Sequence, residues 1–393
     1  MIFEKEKQKA NKVFGNTKII LLIFVLIFTI GLIVCFVVGH NENKNETENQ
    51  ILVQEEKEVQ SRDNDSFLKN QTEEKLNSLS LEQKIGQLFI IGFKGKIISK
   101  ETENLIKNVH PGGILLLEEN IEDQKQLKEL INSLQEIALQ DTGLPLFVAV
   151  DQEGGIISRI DWINKIPQSE IQSVIQAERI GVDRGTELKK LGVNLNFAPL
   201  IDTAFKNDFI FERSFQKDYI KTGELAQALI QGQQQAGVFS TMKHFPGYGK
   251  ISFNPENELA YLDEMPDISQ FQKACQTFPE MIMISNVVYG DIEKDIPFSF
   301  SEKSIKLLKE EIDGNYLIIS DDLAQNSLLN EFSLEKIVVS PIKAGMDILI
   351  FSGWRTPVIK GIKAFQKAVD NKEISEERIN QSVLKIINLK QKI

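Results

Sequence analysis

The chain has 393 residues, 42% of them apolar, and a formal net charge of −11. Its length allows one large domain with appendages or two ordinary domains. The acidity, with no Lys/Arg cluster forming a basic face, excludes a nucleic-acid binder. Two cysteines, Cys35 and Cys275, exclude a disulfide framework and a Cys-based zinc site.

The first segment in chain order carries Lys5, Lys7, Lys9, Lys12 and Lys18 and is followed by IILLIFVLIFTIGLIVCFVV at 19–38. An uncharged apolar run of this length predicts a transmembrane helix. No small-residue cleavage pattern follows it in VVGHNEN, so an uncleaved anchor is expected rather than a signal peptide. LIVC lacks the small residues of a lipoprotein site, and Cys35 reads as an ordinary membrane-buried cysteine. Only Lys44 lies close after the span. The positive-inside rule therefore places residues 1–18 in the cytoplasm and the bulk of the chain on the extracytoplasmic side, as a single-pass protein of the cell membrane. Residues 39–75 are rich in Asn, Glu, Gln, Lys and Asp and read as a disordered linker. The globular part is expected over 76–393.

Eight short apolar runs follow: LFIIGF (88–93), GGILLL (112–117), LFVAVD (146–151), VNLNFA (193–198), FSTMKH (239–244), MIMISN (281–286), YLIISD (316–321) and DILIFS (347–352). Continuous rather than alternating apolarity predicts strands buried on both faces, as in a parallel sheet. Between them lie helical patterns. Leu127, Leu130, Ile131, Leu134 and Ile137 share one face of a helix within 121–140, and the segment 218–237 ends on Gly237, a helix stop. Strand and helix alternating eight times predict an α/β fold, a (β/α)8 TIM-type barrel; a doubly wound open sheet is the alternative. Several runs turn polar at their C-terminal ends: Asp151, Asp202 just beyond the fourth, Lys243 and His244, Asn286, and Asp321. Taken singly, an Asp there is a helix cap and a Lys a solvated surface group. In a barrel all of these ends meet at the face where active sites lie.

Seven motifs occur in order: KIGQLFIIGF, PGGILLL, VDQEGG with Arg159, NLNFAPLID, ERSF, KHFPG and ISDDL. Together they resemble the N-terminal barrel domain of glycoside hydrolase family 3, most closely its short single-domain branch of bacterial β-N-acetylhexosaminidases acting on cell-wall sugars. The resemblance covers 76–393. It implies that Asp321 is the nucleophile of a retaining glycosidase, and that Asp151, Arg159, Arg213, Lys243 and His244 bind the sugar. The chemistry is consistent: one carboxylate must attack the anomeric carbon, neighbouring Lys and Arg are expected to hold it ionised, and charged groups recognise sugar hydroxyls by paired hydrogen bonds. Asp322 competes for the nucleophile's role, against a reading as a helix cap or a support for its neighbour.

One stretch departs from the pattern. The short branch carries KHFPGHG and then an Asp-Ser-His whose His is the acid/base. Here the loop reads KHFPGYGKISFNPENELAYL, with Tyr248 in place of the His of the glycine turn and Asn254 and Glu256 in place of the Asp and the His of the dyad. The remaining histidines, His40 and His110, lie elsewhere. Ile156 stands where Arg is common after DQEGG, and Asn286 where a His is common. Two readings follow: Glu256 or Glu258 supplies the proton, since a carboxylic acid is the usual glycosidase acid/base, or the domain is a glycan-binding pseudoenzyme. A β-glucosidase or β-xylosidase type of hydrolase is a further alternative. The expected partners are an N-acetylglucosamine-containing glycan and, through the N-terminal helix, the membrane. No cofactor and no metal are implied, and a monomer is expected.

Overall fold

The computed structural model describes residues 25, 28–32, 68–353 and 357–393. Of the span expected at 19–38, only residues 25 and 28–32 are among these, and they are helical; the rest lies outside the described residues. Among the described residues no helix is long and apolar enough to cross a membrane. The compact unit that carries the fold runs from Thr72 to Ile393. Its start falls within the linker expected over 39–75. Residues 72–78 are helical, and the buried Thr72 hydroxyl bonds Asn388 Oδ1 at 2.8 Å, a partner that local composition does not reveal.

Eight parallel strands close into a barrel in chain order. They are β1 (Phe89–Gly92), β2 (Gly113–Leu116), β3 (Phe147–Val150), β4 (Leu195–Asn196), β5 (Phe239–Phe245), β6 (Met281–Ile284), β7 (Leu317–Asp322) and β8 (Ile348–Phe351). Closure is completed by β1 pairing with β8, Phe89 opposite Leu349, as well as with β2, Ile90 opposite Gly113. An open doubly wound sheet would leave β1 and β8 unpaired with each other, so the closed barrel replaces that alternative.

The apolar runs are continuous because both faces of each strand are covered. On β3, Phe147 and Ala149 pack with Leu195, Phe197, Met283 and Ile319 from other strands, which is the barrel interior. Val148 and Val150 pack with Leu127, Leu130, Ile131 and Leu134 of the helix Gln124–Thr142, which is the outer layer. That helix starts on Asp123, whose side chain accepts from Gln126 N, and ends on Gly143 at φ +65°. Phe147 and Phe239 meet edge-on across the interior at 6.2 Å. At the N-terminal end of the barrel, the buried Lys390 of the last helix bonds Gln87 Oε1 at 2.7 Å and lies over the Phe147 ring. On the outside, the helices Val174–Leu191 and Tyr219–Gln235 touch at Gly181 and Gly232, where an added Cβ would fall 2.4 Å and 2.1 Å from the opposing backbone carbonyls. All eight strands run the same way, so their C-terminal ends, and the polar residues on them, open to one face.

Candidate active site

The floor of the site is an ion cluster at the ends of β3 and β5. After β3 the chain folds into a short hairpin, Gln152–Gly154 against Ile157–Ser158. Asp151 and Glu153 are two positions apart on extended chain and therefore project to the same side. Lys243, from β5, bonds both: Nζ lies 2.7 Å from Asp151 Oδ1 and 2.6 Å from Glu153 Oε1. Arg213 grips Glu153 with both ends of its fork, at 2.7 and 3.1 Å. Burial alone would raise the Glu153 carboxyl, but Arg213 and Lys243 outweigh it and hold the group at about 2. Lys243 is likewise lowered by burial and raised on balance by Asp151 and Glu153. The Lys243 side chain is 2% exposed, so neither partner could be removed without stranding a charge away from water.

His244 follows Lys243 across a cis peptide bond. Its backbone N–H and its Nδ1 both reach Asp202 Oδ2, each at 3.0 Å. A carboxylate only accepts, so Nδ1 carries the proton and Nε2 is left to the cavity. The same Asp202 accepts from Tyr248 N through Oδ1 at 2.6 Å.

At the end of β7 stand Asp321 and Asp322, and they do different work. Asp322 Oδ1 accepts from Ala324 N at 3.0 Å and Ser352 N at 2.9 Å, and its Oδ2 accepts from the Ser352 hydroxyl. It ties β7 to the end of β8 and caps the turn that follows. Burial pushes it up to about 6 despite those bonds. Asp321 faces the cavity, accepting from Asp322 N at 2.7 Å on Oδ1 and from the Tyr248 hydroxyl on Oδ2.

The loop after β5 completes the site. Tyr248 is buried, with its ring 4.5 Å from that of His244. Burial and then the charge of Asp321 raise its phenol well above the ordinary range. Farther along, Glu256 N bonds Asn254 Oδ1 at 2.9 Å, and Glu256 O accepts from Ser327 N at 3.0 Å, pinning the loop to the helix Asn326–Leu329 beyond β7. Glu256 stands on the rim, open to solvent on one side, with its carboxyl toward the cavity. Desolvation by the cavity wall and then the Asp321 charge raise it above the usual carboxylate value.

These groups line one cavity of about 200 Å³. Every site residue named from the sequence is on its wall: Asp151, Arg159, Arg213, Lys243, His244, Glu256 and Asp321. Glu258 is not, and it is exposed. The apolar part of the wall includes Leu115, Met283 and Ile350 on the strands, Phe197 just beyond β4, and Phe209. One expectation changes. Lys243 and Arg213 are committed to Asp151 and Glu153, and the hydrogen bonds to Asp321 come instead from Tyr248 and the Asp322 amide. Sequence reasoning missed Glu153, although its spacing from Asp151 was a usable signal, and it treated Tyr248 only as a residue lost from a pattern. Among the described residues no group of His, Cys, Asp and Glu is arranged to hold a metal ion.

Residues 80–389 match the model of the glycosyl hydrolase family 3 N-terminal domain. A Haemophilus influenzae protein named beta-hexosaminidase is 30% identical over 306 residues, covering 74% of this chain and 84% of that protein. A solved structure of a family 3 beta-N-acetylglucosaminidase from Paenibacillus superposes with a TM-score of 0.76 at 28% identity, over 80% of this chain and 63% of that one. The beta-N-acetylhexosaminidase of Beutenbergia cavernae gives a TM-score of 0.73 at 26% identity, over 80% of this chain and 99% of that one. With a closed barrel, a carboxylate-lined cavity at its C-terminal face and a family match spanning nearly the whole compact unit, the chain belongs to glycosyl hydrolase family 3.

Proposed function

We propose that this protein is a retaining β-N-acetylhexosaminidase that removes terminal N-acetylglucosamine from cell-wall glycans. The observation that carries the reading is the pairing, in one cavity, of Asp321 with a second carboxyl group, Glu256, which partial burial and then the Asp321 charge raise above the usual carboxylate value. In the first step Asp321 attacks the anomeric carbon, the glycosidic bond breaks, and the leaving oxygen takes the proton of Glu256. The product is a glycosyl ester of Asp321. Esterification removes the Asp321 charge, and with it part of what raises Glu256. Glu256, having given up its proton, then stays ionised and takes the proton of the water that attacks the same carbon and frees Asp321. Asp151, Lys243, Arg159, Arg213 and His244 orient the sugar from the floor and walls, with Lys243 and Asp151 fixed by each other before substrate arrives.

The test is release of nitrophenol from an aryl β-N-acetylglucosaminide. Asp321→Asn should lower kcat on the order of 10⁴-fold or more; turnover that survives this change sinks the nucleophile's assignment. A second reading, a glycan-binding domain without turnover, rests on the replacement of the dyad by Asn254 and Glu256. Calorimetry showing N-acetylglucosamine oligomers bound but not cleaved by the unsubstituted protein would replace the first reading with this one. We also propose that the domain acts outside the cytoplasmic membrane as a monomer held by the segment 19–38. Supporting this, the described residues of that segment are helical, and Val25, Phe28, Ile30 and Leu32 are exposed apolar side chains. Recovery of the full chain in a salt-washed membrane fraction, and its release by detergent alone, tests the anchor.

A further inference from the structure

We propose that Tyr248 is the positioning residue of the nucleophile, holding Asp321 in its attacking orientation through the phenol hydrogen. The proposal rests on the hydrolase reading above and concerns how that site is kept in register. The Asp321 carboxylate has two local hydrogen bonds. Oδ1 takes the Asp322 amide at 2.7 Å, a bond to its own neighbour that leaves rotation of the side chain only partly restrained. Oδ2 takes the Tyr248 hydroxyl, which comes from the other side of the cavity and from a different strand end, 73 positions away in the chain. Two bonds from different directions restrain a carboxylate where one does not.

The phenol is itself held at three points. Asp202 fixes the Tyr248 backbone through its N–H at 2.6 Å. His244, anchored to the same Asp202, packs its ring against the tyrosine. Tyr289 donates its hydroxyl to Gly247 O at 2.5 Å, bracing the preceding residue, which sits at φ +131°. Lys243 and Arg213 are paired with other carboxylates, and among the hydrogen bonds of the described residues the side chain that reaches Asp321 is Tyr248. The same bond decides what Tyr248 does not do. Its hydroxyl hydrogen is committed to Asp321, so it is not the proton donor to the leaving oxygen, and the buried neutral phenol is not a nucleophile. The role also has a chemical side: a donor on Oδ2 stabilises the carboxylate as it leaves the glycosyl-enzyme in the second step, as well as orienting it in the first.

The experiment compares unsubstituted protein, Tyr248→Phe and Asp321→Asn. With an aryl β-N-acetylglucosaminide, Tyr248→Phe should lower kcat about 10- to 100-fold, the range of one lost transition-state hydrogen bond, with KM within about 3-fold. A fall in affinity alone, or an unchanged kcat, overturns the role. A second readout does not depend on turnover. With 3-fluorotyrosine incorporated at the five tyrosines, the Tyr248 resonance, identified by its loss in Tyr248→Phe, should move in Asp321→Asn. A resonance that stays in place shows that the two side chains are not bonded and overturns the proposal even if Tyr248→Phe is slow. No turnover by the unsubstituted protein overturns the hydrolase reading, whereas full turnover by Tyr248→Phe overturns only the role of Tyr248.

Discussion

The two halves of the site are built differently. The floor, at the ends of β3 and β5, is a network in which Lys243, Asp151, Glu153 and Arg213 satisfy one another, with Lys243 and Glu153 buried and Asp151 and Arg213 partly open to the cavity. The loop at 246–258 is held by separate bonds to several neighbours: Asp202 to Tyr248, Tyr289 to Gly247, Asp208 to Lys250, Phe209 to Ile251, Ser327 to Glu256 and Tyr248 to Asp321. The floor is built into the folded core, with its charges fixed by one another. The loop carries Glu256, the group whose charge changes in the proposed mechanism. A group that must gain and lose a proton cannot be locked in a fully satisfied ion cluster, because the cluster would fix its protonation state, as it does for Glu153. The proposed mechanism accordingly has its acid/base on the loop and its sugar-orienting charges on the floor.

The largest effect that would break this contrast comes from the floor. Lys243→Ala leaves Asp151 and Glu153 facing each other with one cation fewer. Removing one partner of a buried pair costs about 3–5 kcal/mol, so both denaturant stability and turnover should collapse together. A loss under about 1 kcal/mol would mean that the floor is hydrated and not part of the core.

The loop should behave in the opposite way. Glu256→Gln should leave the midpoint of unfolding within about 0.5 kcal/mol of the unsubstituted protein, as for a surface change. It should lower kcat about 10²- to 10⁴-fold for glycosides with poor leaving groups and much less for activated aryl glycosides, which need little protonation. Because Glu256 acts protonated and its carboxyl is raised, the unsubstituted rate should fall as pH rises through that raised value. The Gln variant should lack this alkaline limb. Equal slowing of both substrate types would remove Glu256 from the mechanism.

Two carboxylates at the strand ends, the buried Glu153 and the half-buried Asp322, sharpen the comparison through pH. Glu153 is shifted from 4.5 down to about 2, so the unfolded chain binds its proton first and stability is lost as pH falls through that interval. Asp322 is shifted from 3.8 up to about 6, so its contribution is present below 3.8 and lost as pH rises toward 6. Each is worth at most about 3 kcal/mol by linkage. Glu153→Gln should flatten the acid side of the stability profile, and Asp322→Asn the slope between 3.8 and 6, measured by urea unfolding across pH.

Most of the barrel was legible because a strand covered on both faces must be apolar at every position: six of the eight strands lie inside the runs read from the sequence, and β5 and β7 each extend one residue beyond theirs, to Phe245 and Asp322. The direction of the strand ends was legible for the same reason, since parallel strands bring Asp151, Lys243 and Asp321 to one face without further information. The connections among these side chains were not. Lys243 meets Asp151 across 92 positions and Tyr248 meets Asp321 across 73, and no local pattern encodes such a contact. Tyr248 is the clearest case: seen in sequence it is a departure, and seen in space it is what reaches the nucleophile. Thr72 is another, since its buried bond to the last helix moves the start of the compact unit into a segment whose composition reads as linker.

The smallest effect tests whether the loop's position depends on its braces or on the floor. Tyr289 is buried, with its hydroxyl shared between Gly247 O at 2.5 Å and Ser285 Oγ at 3.1 Å. Tyr289→Phe removes one hydroxyl and leaves the ring, so packing against Phe298 is kept. The loss should be about 1 kcal/mol of stability, the net value of one such hydrogen bond. If the brace sets the position of the turn, kcat should fall further than this stability change implies, because Gly247 directly precedes Tyr248 and a small displacement there weakens the hold on Asp321. If the Asp202 network alone positions the turn, stability drops and kcat does not. Measured beside Tyr248→Phe, the pair forms a cycle: a brace acting through Tyr248 makes the two kinetic effects less than additive, whereas independent actions add within about 0.5 kcal/mol.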